Sequence, residues 1–230
     1  MARLGRLFVP GYPQLILQRG NDGVSIFRED EDYRRFLSFL RESGREASLA
    51  VHAYVLMPDH VHLLLSAASV DAVSGAVQRV GRNYVRWFND KYQRRGTLWE
   101  GRYRSTALEP QTYALACYRY VELNPLRRGL VTGVEAYPWS SCRHHLGLVS
   151  DPLISDHACY WALGNTPFDR QDAYRRLLEA GPSAAELDAL RYAAHRGWLL
   201  GELPVHLESG RVRRSHPLPK GRPKRSPEAA

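Results

Sequence analysis

The apolar positions of the chain change period several times, and each change marks an element. Residues 13 to 19, Pro-Gln-Leu-Ile-Leu-Gln-Arg, read as a strand that enters a turn at Gly20-Asn21-Asp22-Gly23. Tyr33, Phe36, Leu37 and Leu40 then recur at helical spacing between charged positions, which predicts an amphipathic helix over residues 30 to 43. Val51 to Met57 reads as a second strand that breaks at Pro58-Asp59, and His60 to Leu65 resumes as a third extended segment. Val70, Val73, Val77, Val80, Tyr84 and Trp87 or Phe88 return to the helical period and predict a helix ending near Asn89-Asp90. A further strand is expected over Leu98 to Arg104, followed by a helix from Pro110 to Asn124 that Pro125 should end.

Strand, helix, strand, strand, helix, strand, helix is the order of an α+β fold. It predicts a ferredoxin-like antiparallel sheet with helices packed mainly on one face. Residues 1–150 form the expected catalytic domain, residues 151–205 a small helical extension, and residues 206–230 a basic tail with little apolar area to offset ordering entropy.

Composition narrows the choice of partner. Of 230 residues, 44% are hydrophobic and 24% charged, as in a folded globular protein, and 32 Lys and Arg against 24 Asp and Glu leave a net charge of +8 that favours a polyanion. Three cysteines, Cys117, Cys142 and Cys159, with no Cys-x-x-Cys pair, point neither to a disulfide framework nor to a thiolate zinc site. Without an apolar run long enough to span a bilayer or a secretion signal, the chain is expected in the cytoplasm, in contact with the nucleoid and with no membrane partner.

Two segments carry candidate chemistry. In Asp59-His60-Val61-His62 the period of a strand puts both imidazoles on one face, a preformed half-site for a divalent cation that still needs a third ligand. Asp59 is an accessory candidate, either orienting a histidine or closing the turn. In Tyr118-Arg119-Tyr120-Val121-Glu122-Leu123-Asn124-Pro125, Tyr120 and Asn124 share one helical face, so a phenol nucleophile and an amide ligand could ride on one rigid element. Tyr118 and Glu122 are also four apart, and a carboxylate is the harder ligand for Mg²⁺ or Mn²⁺, so spacing leaves both registers open.

The segments Tyr54-Val55-Leu56-Met57-Pro58-Asp59-His60-Val61-His62-Leu63-Leu64-Leu65 and Arg119-Tyr120-Val121-Glu122-Leu123-Asn124-Pro125-Leu126-Arg127-Arg128-Gly129 together resemble the IS200-like single-tyrosine (HUH) transposases, above all their REP-associated branch. The resemblance covers approximately residues 8 to 150. It implies Tyr120 as the nucleophile, with His60, His62 and Asn124 around Mg²⁺ or Mn²⁺. It also implies a 5′-phosphotyrosyl intermediate formed on single-stranded DNA beside repeat hairpins, with a homodimer and a monomer both open. A noncatalytic DNA-binding regulator derived from such a transposase is the alternative.

Residues 79 to 104 hold eight basic and two acidic residues among several aromatics. Arg82, Arg86, Lys91, Arg94 and Arg95 are therefore candidates for the DNA backbone, as are Arg127 and Arg128 after the tyrosine segment. In the tail, Lys220, Arg222, Lys224 and Arg225 surround Gly221-Arg222-Pro223, which is similar to an AT-hook core.

Overall fold

The computed structural model describes residues 6–202, so the AT-hook-like tail with Lys220, Arg222, Lys224 and Arg225 lies outside the described residues. Four strands, β1 (Gln14–Arg19), β2 (Ala50–Met57), β3 (His60–Ser66) and β4 (Arg104–Ala107), form one antiparallel sheet in the order β2-β3-β1-β4. Between them run α1 (Asp30–Glu46) and α2 (Val70–Lys91). This is the ferredoxin-like α+β plan expected from the hydrophobic period.

The alternation of side chains along the strands makes two cores. On one face Ile16, Tyr54, Leu56, Val61, Leu63 and Leu65 pack against Phe36 and Leu40 of α1 and Val77, Val80, Tyr84 and Phe88 of α2. On the other, Leu15, Val55, Met57 and Leu64 pack against Cys117, Tyr118 and Val121 of α3 (Pro110–Glu122). His60 and His62 alternate with Val61 and Leu63 and so belong to this second face, beside α3.

Beyond α3 come four short helical segments and two longer helices. They are α4 (Asn124–Arg127), a 3-10 turn (Val134–Ala136), α5 (Cys142–His145), α6 (Ala158–Trp161), α7 (Pro167–Ala180) and α8 (Ala184–Arg196). Tyr160, Tyr174, Leu178, Leu190 and Ala193 from this region share one core with Leu15, Val55 and Leu64 of the sheet. Helices α7 and α8 each begin with a capping box, Thr166 with Asp169 and Ser183 with Glu186. Among the described residues no helix is long and apolar enough to cross a membrane.

Two expectations need correction. The last strand is not Leu98 to Arg104 but Arg104–Ala107. Residues 97–103 are mostly irregular because Thr97 Oγ1 accepts the Trp99 N–H, Gly101 takes φ 77°, and the Trp99 indole donates to the Gly81 carbonyl at 3.2 Å, anchoring the segment to α2. Nor does Pro125 end the helical path. Leu123 interrupts α3, yet α4 starts at once with Pro125 in its first turn, where a missing N–H costs no intrahelical bond. The turn is closed by Arg127 N–H to the Leu123 carbonyl at 2.9 Å and Arg128 N–H to that of Asn124 at 3.0 Å.

One glycine positions the β2–β3 hairpin. The Gly20 N–H donates to the Asp59 carbonyl at 2.8 Å, and a Cβ at Gly20 would lie 2.4 Å from the Val24 carbonyl oxygen. No other residue fits this close approach without moving the strand end that carries Asp59 and His60.

Candidate active site

β3 is pinned on both sides, with Leu17 of β1 opposite His62 and Arg19 opposite His60, so the two imidazoles project from a rigid strand. Their ring centroids are 5.1 Å apart. His60 Nδ1 donates to Asp59 Oδ1 at 2.6 Å, which fixes the tautomer and leaves Nε2 as the acceptor; Asn124 Nδ2 donates to it at 3.0 Å. The hydrogen bond to His60 is the first cause that holds the Asp59 carboxyl below its ordinary value, and Arg128 at 3.2 Å adds to it. Asp59 is therefore an anionic anchor for His60, a poorer choice for a base.

The Tyr120 ring stands edge-on to His62 with centroids 5.3 Å apart, and the Arg127 guanidinium lies 5.0 Å from the Tyr120 ring centre while donating to the Tyr120 carbonyl. Burial raises the Tyr120 phenol above its ordinary pKa, opposed by the cations Arg127, Arg191 and Arg19. Burial likewise drives the His62 imidazole well below its usual value, aided by the neighbouring His60 ring and the Arg127 guanidinium. The Arg127 guanidinium is pulled down to about 10 by burial.

These groups line one cavity of about 310 Å³, bounded by Leu17, Arg19, His60, His62, Tyr120, Asn124, Arg127, Arg128, Arg191 and His195. Four arginines, three imidazoles and a phenol face it, and among the described residues no carboxylate lines it. Such a lining suits a phosphate diester.

The residues present also fit a divalent cation. His62 Nδ1 is buried and has no hydrogen-bond partner, which is costly for a polar atom unless something else engages it. His60 Nε2 offers a lone pair, and its ring is oriented from behind by a carboxylate in the way metal-binding histidines commonly are. The Asn124 amide is within 3.0 Å of that nitrogen.

Tyr118 and Glu122 point elsewhere. Both are fully buried. Tyr118 accepts from the His157 N–H at 3.1 Å, and Glu122 accepts from His145 Nδ1 and Tyr174, each at 2.6 Å, and from Ser141. The α3 face carrying Tyr120 and continuing to Asn124 is the one that meets the histidine pair. Beside Glu122, His144, His145 and Asp156 hold ligand atoms within 4.8 Å of one another, a cluster consistent with a metal-binding site and separate in its residues from His60 and His62. Against burial, which lowers it, the Glu122 and Asp156 carboxylates push the His145 imidazole up to about 9.

The basic candidates of the α2 region divide. Arg82 and Arg86 are exposed and line a groove of about 810 Å³ with Arg6, Arg102, Trp99 and Tyr103. Lys91 is not left free for a phosphate, because Glu29, Glu31 at 2.7 Å and Asp32 at 3.0 Å hold its ammonium. Arg94 lies against the Phe88 ring and Arg95 is exposed; neither lines that groove. Three residues of the cavity that holds Tyr120 and the histidine pair escaped the sequence reading: Arg19, Arg191 and His195. The i, i+4 spacing of Arg191 and His195 places them on one helical face, but nothing local says what that face meets.

Residues 21–124 match the family of IS200-like transposases. The match spans the histidine pair, Tyr120 and Asn124. The structure of a REP-associated tyrosine transposase bound to a REP hairpin aligns with this chain at a TM-score of 0.54 and 16% identity, over 69% of this chain and 96% of that one. At that identity the likeness establishes the shared fold. The crystal structure of a putative transposase from Deinococcus radiodurans R1 aligns at a TM-score of 0.37 and 22% identity, over 49% of this chain and 91% of that one. No curated protein matches the sequence significantly.

Proposed function

We propose that the protein cleaves and rejoins single-stranded DNA by transesterification, with Tyr120 as nucleophile. One observation carries the reading: the Tyr120 phenol shares a cavity with His60, His62 and Asn124, and that cavity is lined by four arginines and no acid. Arg19, Arg127 and Arg191 attract the phosphate diester and favour the phenolate over the phenol that burial alone would keep protonated. The Tyr120 oxygen forms a bond to phosphorus while the bond to the 3′-oxygen breaks. Overall the phenol proton ends on the released 3′-hydroxyl, and the 5′-phosphate stays on Tyr120. His60, His62 and Asn124 would hold Mg²⁺ or Mn²⁺, which when bound would supply Lewis-acid stabilisation of the charge that builds on the phosphate oxygens.

Attack on the phosphotyrosyl bond by another 3′-hydroxyl reverses the step and rejoins DNA without ATP. The hairpin in the REP-associated structure of like fold supports a hairpin-bearing strand as substrate, and the groove at Arg82 and Arg86 offers a basic surface for the flanking DNA.

The test is a hairpin-bearing oligonucleotide incubated with the protein and Mg²⁺ or Mn²⁺, followed by denaturing electrophoresis and mass spectrometry. A denaturation-resistant adduct on Tyr120 is expected, absent in Tyr120→Phe while DNA binding persists. Binding without any adduct would favour a noncatalytic regulator instead.

A further inference from the structure

Helix α8 lies outside the 21–124 segment that matches the transposase family, yet two of its side chains, Arg191 and His195, line the cavity that holds Tyr120, His60 and His62. The helix is held firmly there. Leu190, Ala193 and Ala194 are buried, and the Thr106 hydroxyl of β4 donates to the Ala193 carbonyl at 2.8 Å. Arg119 of α3 pairs with Glu186 in the first turn of α8 at 3.2 Å. After the helix, Leu200 exchanges backbone hydrogen bonds with Ala107 and Glu109 at 2.9 and 2.8 Å. Hydrogen bonds and an ion pair thus tie α8 to the sheet and to the tyrosine helix beside the cavity.

The polar ends of the two residues are poised for an anion. Among the described residues no carboxylate pairs with Arg191, although nearby acids are taken by other cations: Glu186 by Arg119, Asp59 by Arg128 and Glu100 by Arg104. Arg191 is nonetheless near enough to Tyr120 to favour its ionised form. His195 is oriented by Arg104, whose Nη1 donates to His195 Nδ1 at 2.9 Å, so the neutral ring carries its proton on Nε2. One face of α8 therefore brings a guanidinium and an imidazole N–H donor to a cavity that Arg127 also lines.

We propose that α8 is a phosphate-holding arm of the active site, Arg191 and His195 fixing the DNA phosphodiester against Tyr120 together with Arg127. This rests on the transesterification reading and adds to it that the C-terminal extension completes the site in cis. Arg191 acts as a DNA-binding residue and His195 as a positioning residue beside it.

The experiment measures single-turnover adduct formation and equilibrium binding of the same hairpin-bearing oligonucleotide, with the full chain, for wild type, Arg191→Ala, Arg191→Lys, His195→Ala and His195→Gln. Thermal unfolding of each variant monitors the fold, and Arg176→Ala, an exposed α7 residue paired with Asp172, is the control. Arg191→Ala should bind more weakly and form adduct about 10- to 100-fold more slowly, the scale of one charge-assisted hydrogen bond. Its binding should also lose about one unit of slope against log salt. Arg191→Lys should recover part of the rate and the whole of the salt slope, and His195→Gln, which keeps a donor, should exceed His195→Ala. A wild-type adduct with unchanged rate and salt slope in Arg191→Ala removes the role of α8 and leaves the reaction standing. A wild-type chain that forms no adduct on Tyr120 removes the reaction and the arm together.

Discussion

Asn124 donates to His60 Nε2 at 3.0 Å across 64 residues of sequence, and the same imidazole donates to Asp59 at 2.6 Å. The ring is thereby held at both nitrogens. One partner comes from the turn that starts its own strand, the other from the segment that follows the tyrosine helix.

That relay makes Asp59 testable apart from the ligands. Asp59→Asn keeps the size of the side chain but removes the charge that orients His60, and the concentration of Mn²⁺ needed for half-maximal cleavage should rise about 10- to 100-fold. Cleavage at saturating Mn²⁺ should change less than this. A metal titration curve that overlays the wild type would remove the orienting role.

The two tyrosines of α3 should separate cleanly. Tyr118→Phe loses only the oxygen that accepts the His157 N–H, which should destabilise the fold by about 1–2 kcal/mol and leave adduct yield at the wild-type level. Tyr120→Phe should show the converse, with no adduct and near-native unfolding. Chemical denaturation combined with adduct gels measures both.

The Glu122–His145–Asp156 chain predicts how stability depends on pH. His145 has a folded pKa raised to about 9 from an ordinary 6.5, so its contribution is fully present below 6.5 and is lost as pH rises through about 9. Asp156 is held below its ordinary 3.8, despite burial, by hydrogen bonds from His144 and His145; its contribution is present above 3.8 and is lost as pH falls further. The melting temperature should therefore be highest between these limits and drop from pH 6.5 to 10, with a change on the order of 2 kcal/mol, or about 4–8 °C for a chain of this size. His145→Gln should melt lower and flatten the alkaline limb. An alkaline limb of equal steepness in that variant would assign the loss to other groups.

The groove at α2 predicts an effect on binding without one on chemistry. Replacing Arg82 and Arg86 together by Ala should lower the slope of log affinity against log salt by about 2 and leave the adduct rate at saturating DNA unchanged. A reduced rate at saturation would place these arginines with the reacting phosphate instead.

Much of this molecule could be read directly from the order of its residues. The two-residue period of the strands set which side chains enter which face, and therefore put His60 and His62 together, because alternation is a local property of extended backbone. The helical period located α1, α2 and α3, and the four-residue spacing placed Tyr120 beside Asn124. Local pattern was weakest where tertiary contacts overrode it. Trp99 draws residues 97–103 under α2 and shifts the last strand to Arg104–Ala107, and Pro125 starts a turn because the chain supplies it a first-turn position.

The choice between Tyr120 and Tyr118 was never local, since both registers satisfy the same spacing. It fell to the packing of α3 on the sheet, which buries Tyr118 and Glu122 in a hydrogen-bonded core and turns Tyr120 toward the histidine pair. Arg191 and His195 reached the same cavity only because α8 folds back on β4 and α3. Sequence determined which groups each element could present, a matter of period and residue type. Only the tertiary structure decided which presented faces met, because burial and long-range hydrogen bonding act between segments that no short stretch of chain contains.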